Sequence, residues 1–406
     1  MKSFLTLALL IVSSLSVYPA DGDSCLWLRF DRNGISAQAS VETIGTEMLD
    51  NVQRSTVEIA AAELRDNWTG APVTLQIVKD TTHNNGYFKV EKLPHDHQLT
   101  ALPFGGDGEG YDRQGTTLPL GGDGEGYDRI YITSGSASGL LYGAYFILRS
   151  QAMGDGCLCK TLGNEDVIEQ EPAYQHRLVK IDLASLPQQL SLKNLARAFA
   201  SIGINGIVIT DKSPNQNSKF QVSSSKFQVQ SSKFQALFAP YQIELLSDTD
   251  TQDITTIDIR QSNPLHLQYL APLWQISARP EGTLPPSRAT ERTPDTSTNS
   301  SLCCDAIAAI TQNPFSSLNL YAFGRMAWMP QIVKERVAFE WLAQTFTENP
   351  LFVIPMRDVL MKSANPTPAD IENFISIWHQ MDRVVSPEQY SLVEDMLERQ
   401  LEDTID

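Results

Sequence analysis

From Arg177 onward the sequence alternates strand and helix, and that rhythm constrains the fold more than any other feature. Arg177-Leu-Val-Lys-Ile-Asp-Leu183 reads as a strand. Ser191 to Ser201 reads as a helix with Leu192, Leu195 and Phe199 turned inward. Gly203 suits the cap behind it, and Gly206-Ile-Val-Ile-Thr210 reads as the next strand. Ala236 to Ser247 reads as a helix end followed by a third strand. Such alternation belongs to a parallel α/β sheet or barrel. Only about three units are readable, where a closed barrel takes eight, so an open or irregular α/β layer is expected.

The flanks read differently. Before residue 168 the chain has an α+β character. Pro72 to Val78 alternates like a half-buried strand, Arg129 to Thr133 is a second, and Thr56 to Arg65 and Ser138 to Arg149 read as helices. Pro280 to Ser301 is rich in Pro, Ser and Thr and reads as a linker. Beyond it, Thr367-Pro-Ala-Asp370 and Ser386-Pro-Glu-Gln389 each set an N-cap, a Pro at the first helical position and an acceptor two residues on. The expected fold class is therefore α/β plus α. Its parts are a leader at 1–20, an N-terminal α/β domain at 21–168, a partial (β/α) barrel-like domain with a repeat insertion at 169–279, a linker at 280–301 and a helical C-terminal domain at 302–406.

Lys2 followed by an apolar run from Phe4 to Val17, then Pro19 and Ala20, has the layout of a signal peptide, so a secreted or periplasmic protein is expected. The formal net charge of −17 argues against nucleic acid and against an anionic membrane surface as partners. The five cysteines, Cys25, Cys157, Cys159, Cys303 and Cys304, match no zinc spacing and cannot all pair within one chain. Two segments repeat. Leu102 to Arg113 recurs nearly verbatim from Leu118 to Arg129, and Ser218-Lys-Phe-Gln221 recurs at Ser225 and Ser232. Both are expected outside the core, the second as a solvated loop. The carboxylates and carbonyls of Gly-Asp-Gly-Glu-Gly suit a hard cation, but the spacing matches no EF-hand loop.

Several blocks, in order along the chain, resemble the bacterial α-glucuronidases, a glycoside hydrolase family of xylan breakdown. They are Cys25-Leu-Trp-Leu-Arg29, Gly139-Leu-Leu-Tyr-Gly143 with Leu148-Arg149, Glu171-Pro-Ala-Tyr174 with Arg177, and Ala200-Ser-Ile-Gly-Ile-Asn-Gly206. His266 to Trp274, Asn313-Pro-Phe315, Leu320 to Trp328, Glu340-Trp341 and Gln344-Thr-Phe346 continue the series. The resemblance covers about half of the chain, which would be a shortened and divergent member. It implies a small α/β domain, a catalytic barrel, here only a remnant, and a helical domain through which a homodimer forms. It also implies removal of 4-O-methylglucuronic acid from glucuronoxylan-derived oligosaccharides, with inversion and without metal or cofactor.

Inverting hydrolysis takes one carboxylic acid and one carboxylate base. Ile257-Asp-Ile259 with Pro264 resembles a strand bearing a base, which makes Asp258 a candidate; it also reads as a surface Asp in an acidic stretch. Glu281-Gly with Pro285-Pro286 resembles the segment bearing the general acid, which makes Glu281 the second candidate. In the first barrel strand the family's sugar-lining Asn-His-Trp-Asp run is replaced by Lys180-Ile-Asp182. Trp328 and Trp341 read as core residues and His266 as a packing or loop residue. No Gly-rich phosphate loop or Ser-His-Asp arrangement offers a rival chemistry. The expected function is thus an α-glucuronidase-like hydrolase with impaired catalysis; the alternatives are a carbohydrate-binding remnant and a decayed coding sequence.

Overall fold

The computed structural model describes residues 26–28, 39–93, 129–153, 167–182, 190–210, 225–247, 255–258, 301–305, 314–361, 368–391 and 393–395. The signal-peptide run, the Gly-Asp-Gly-Glu-Gly repeats, Cys25, Cys157, Cys159, His266 and Glu281 lie outside the described residues.

The first part is a five-stranded mixed sheet. Its elements are β1 (Val41–Ile44), α1 (Asn51–Asn67), β2 (Val73–Ile77), β3 (Phe88–Leu93), β4 (Arg129–Ser134), α2 (Ala137–Ala152) and β5 (Val167–Gln170), with strand order β1-β2-β4-β3-β5. The helix α1 starts five residues before the apolar pattern suggests. Asp50 accepts from the Gln53 amide at 2.8 Å, and the Gln53 side chain accepts from the Asp50 amide at 3.1 Å, a reciprocal cap that satisfies two orphan donors. In α2, Gly143 lies against β4 so closely that a Cβ there would collide with Ile132. The glycine lets the helix settle on the sheet, and nearly every residue of α2 is buried.

The second part contains β6 (His176–Asp182), α3 (Leu192–Ser201), β7 (Gly206–Thr210), α4 (Ser225–Phe238), β8 (Glu244–Ser247), β9 (Thr255–Asp258) and β10 (Ser301–Asp305). Its strands form one all-parallel sheet in the order β8-β7-β6-β10-β9. Gly203, at φ +81°, ends α3 in the left-handed region, and a Cβ there would lie 2.5 Å from the Trp328 ring. Among the described residues the sheet is open: no barrel closes, because five strands with free edges at β8 and β9 fall short of the eight that closure takes.

Two expectations need correction here. The boundary set at residue 302 cuts through β10, because Ser301–Asp305 pairs with both β6 and β9 and belongs to the sheet. The Ser-Lys-Phe-Gln repeat is not wholly a solvated loop. Its second and third copies lie in α4, where Phe234 is buried and stacks on Phe238 with ring centroids 5.7 Å apart. The physical reason is the period: seven residues make about two helical turns, so successive copies fall on nearly one helix face.

The third part is helical: α5 (Leu318–Trp328), α6 (Lys334–Thr345), α7 (Pro350–Met361) and α8 (Pro368–His379). Phe315, Trp341, Phe346, Phe352, Phe374 and Trp378 form its aromatic centre, with Phe315 touching four of the others at centroid distances of 5.2–6.0 Å. Trp341 is fully buried, and its indole donates to Ser317 Oγ at 3.2 Å. No described helix is long and apolar enough to cross a membrane.

One hydrophobic cluster runs through all three parts, and a buried ionic group joins them. Glu340 on α6 is fully buried and accepts from Arg325 Nε at 2.8 Å and Arg336 Nε at 3.0 Å. Arg149 on α2 donates to the Ser201 carbonyl on α3 at 2.9 Å, with its Nε 3.9 Å from Glu340 Oε2. Burial alone would raise the Glu340 pKa; the surrounding guanidinium groups hold it down, at about 2.

Two outcomes follow from this packing. Phe315→Ala should lower the unfolding free energy by about 3–5 kcal/mol, the usual result of emptying an aromatic core site, read from the denaturant midpoint. Glu340 also gives the protein an acid limit. Its folded pKa lies below the ordinary value of 4.5, so its contribution is complete above that pH and is lost as pH falls toward about 2. The fully developed term is about 3 kcal/mol. Glu340→Gln should be less stable at neutral pH and should show a flatter loss of stability across that acid window in pH-dependent chemical denaturation.

Candidate functional site

In parallel sheets covered by helices, ligands meet the carboxyl ends of the strands. The all-parallel sheet has two distinct faces. Val179, Ile181 and Ile207 join the main core, toward α3 and α4, whereas Leu178, Val208 and Leu246 form a separate small cluster on the opposite face. The register places one row of residues on that second face: Leu246, Val208, Lys180, Asp305 and Asp258 stand side by side on β8, β7, β6, β10 and β9. Two residues further along β6, and on the same face, is Asp182, in register with Thr210. Three aspartates and a lysine thus occupy the carboxyl edge of one face.

Strand spacing sets the scale of this edge. Neighbouring strands lie about 4.8 Å apart, so Asp258 and Asp305 have Cα atoms about that close, and Asp182 and Asp305 are about 8 Å apart diagonally. Lys180 and Asp305 are opposite charges in direct register, a stabilising pairing, whereas Asp305 and Asp258 are like charges on adjacent strands.

The strand that carries Lys180 and Asp182 is anchored at its other end. The Arg177 guanidinium is buried between aromatic rings, 5.2 Å from the Trp328 centroid and 5.9 Å from that of Tyr142. It donates to the carbonyls of Gly203 and Tyr174, and the Arg177 amide donates to Asn205 Oδ1 at 2.8 Å. Burial pulls the Arg177 pKa down and raises that of Tyr142, each partly offset by the other. The phenol remains neutral and the guanidinium charged, so the anchor is insensitive to pH near neutrality.

A second ionic pair lines a cleft of about 500 Å³ between α1 and α3. Glu63 accepts from Arg197 at both oxygens, with Nη2 at 2.7 Å from Oε2. Burial and the Glu63 charge push Tyr241 beside it up to about 12. A carboxylate held in a two-point clamp is a structural tie.

Of the two candidate carboxylates, Asp258 is the last residue of β9, on the row just described, and Glu281 lies outside the described residues. Asp305 was missed by sequence reasoning. It follows Cys303-Cys304 in a strand of only five residues that emerges from the Pro/Ser/Thr-rich stretch, and nothing in so short a run marks it as sheet. Trp328 and Trp341 are both buried core residues. Among the described residues no group of three or more His, Cys, Asp or Glu side chains could hold a metal ion.

A comparison with curated proteins finds no match. Among solved structures, the chain is distantly similar to an exo-β-N-acetylglucosaminidase of glycoside hydrolase family 20 from Vibrio harveyi, in complex with N-acetylglucosamine: TM-score 0.29, 13% identity, 58% of this chain and 35% of that one. It is similar at the same distance to CpGH84D: TM-score 0.28, 9% identity, 59% of this chain and 38% of that one. The aligned region thus spans little more than a third of either protein. The family model described as Glycosyl hydrolase family 67 C-terminus matches residues 311–368, which hold α5, α6 and α7 with Phe315, Trp341, Phe346 and Phe352 of the aromatic centre. Through this segment the helical part of the chain is similar to the C-terminal part of glycosyl hydrolase family 67.

Proposed function

We propose that the chain is an α-glucuronidase-like glycoside hydrolase that engages glucuronoxylan-derived oligosaccharides through the carboxyl edge of its parallel sheet and hydrolyses them poorly. The observation that carries this reading is the row Lys180, Asp305 and Asp258, with Asp182 beyond it, on one face of the sheet. The family match in the helical part supports the glycoside hydrolase class. The lysine of the row suits a uronate carboxylate, and aspartates suit sugar hydroxyls. The leader-like N-terminus supports export, which would bring the protein to plant-wall oligosaccharides.

The impaired hydrolysis is the second part of the proposal, and the open sheet supports it. Inverting hydrolysis places an acid and a base on opposite sides of the scissile bond, about 6.5–9.5 Å apart, with water between. Five strands in open order supply one wall, and Asp258 and Asp305 stand together on it. Among the described residues no opposite wall faces them; a chain short of that wall would lose positioning and one proton-transfer partner, which typically contributes ~10²–10⁴ in rate.

The test is to incubate the purified protein with an aldouronic xylooligosaccharide, quantify free 4-O-methylglucuronic acid and measure binding by calorimetry. The expected outcome is saturable binding, weakened by Asp305→Asn, with release far below the ordinary ~1–10³ s⁻¹. Turnover within that range would refute the impairment. Absence of both binding and release would refute the oligosaccharide reading.

A further inference from the structure

A separate cleft of about 390 Å³ opens where α2, β5 and α6 meet, on the side where Arg336 reaches solvent. Its floor carries Arg149, Arg325, Arg336 and Glu340, and Gln170, Ser150 and Gln331 add polar groups to its walls. Three guanidinium groups share one carboxylate there. Arg325 and Arg336 donate to Glu340 directly, while Arg149 stands at 3.9 Å and donates to a backbone carbonyl instead. Tyr321 adds no charge, because burial and the neighbouring Glu340 carboxylate raise its pKa and keep the phenol protonated. Among the described lining residues the balance is three positive charges against one negative, an excess of two.

That excess is notable in a chain of net charge −17. Arg149 and Arg325 are 5% and 4% exposed, so water does little to screen them. Buried charges are ordinarily matched, because an unmatched one costs several kcal/mol. Guanidinium forks match the oxygens of carboxylates and phosphates. The cleft volume falls within the ~300–1,000 Å³ of small-molecule sites.

We propose that this cleft binds a small dianion whose two negative charges lie on oxygen, held against Arg149, Arg325 and Arg336. Two sources share that chemistry, a phosphate group and a dicarboxylic acid. The site is independent of the sheet edge and of the oligosaccharide reading.

The full chain is melted in the presence of increasing inorganic phosphate, succinate or chloride at matched ionic strength. Phosphate also stabilises proteins generally by exclusion from their surface, without saturating. The expected result is therefore a saturable rise in Tm with phosphate, with succinate or with both, and none with chloride; the responding anion identifies the source. Arg336 is 45% exposed and Glu340 keeps its bond to Arg325 without it, so the far-UV circular dichroism of Arg336→Gln should match that of the parent. That variant should weaken the saturable response at least about tenfold, the effect of losing one charge-assisted hydrogen bond. Arg357→Gln, at an exposed pair elsewhere, should respond as the parent does. No saturable response to either oxyanion, an equal response to chloride, or an unchanged response in Arg336→Gln would overturn the proposal.

Discussion

Arg149 touches all three parts of the molecule. It belongs to α2 of the first sheet layer, donates to the end of α3 beside the parallel sheet, and faces Glu340 in the helical part. A charge so deeply placed is costly when its partners are removed, since the remaining ion has no water to turn to. Within the assembled layers, replacing Arg149 by an apolar residue removes both its bond to α3 and its charge beside Glu340. The continuous apolar cluster around it supplies most of the free energy of burial, and the ionic group fixes how the layers are set against one another.

The elements that were legible in the sequence are those with a strong local signal. The β6–α3–β7 unit has an apolar stripe, a serine cap and a left-handed glycine, and it folds within a residue or so of its expected limits. The cap formed by Ser386 and Gln389 is present as its spacing implies. What was not legible depends on partners distant in sequence. β10 is a strand only because β6 and β9 flank it, 119 or more residues and some 43 residues away respectively, and its five residues carry no periodicity of their own. Asp305 is hidden for the same reason: its neighbours Lys180 and Asp258 come from other strands. The Gly139-Leu-Leu-Tyr-Gly143 motif was recognisable as a pattern, but its cause, the contact of Gly143 with Ile132, appears only in three dimensions.

The relation between sheet and site is one of supply. A closed barrel gathers side chains from a ring of strands, so that acid and base can face each other across a bound ligand. In an open sheet the same strand ends form a line. Among the described residues Lys180, Asp305 and Asp258 follow one another along that line. The helical part, where the family match lies, is packed around the aromatic centre at Phe315.

The helix α4 gives the chain an unusual way to change length. Its building unit is seven residues, seen as the Ser-Lys-Phe-Gln starts at Ser225 and Ser232. An α-helix turns through nearly two whole revolutions over seven residues and drifts by only about 20°. Gain or loss of one unit therefore slides the start of the helix along its axis by about 10 Å and leaves the phase of the end where the buried Phe234 and Phe238 sit almost unchanged. Duplications that would scramble an element of any other period are conservative in this one, and a coding sequence prone to copying short units can lengthen here without disturbing the layer beneath.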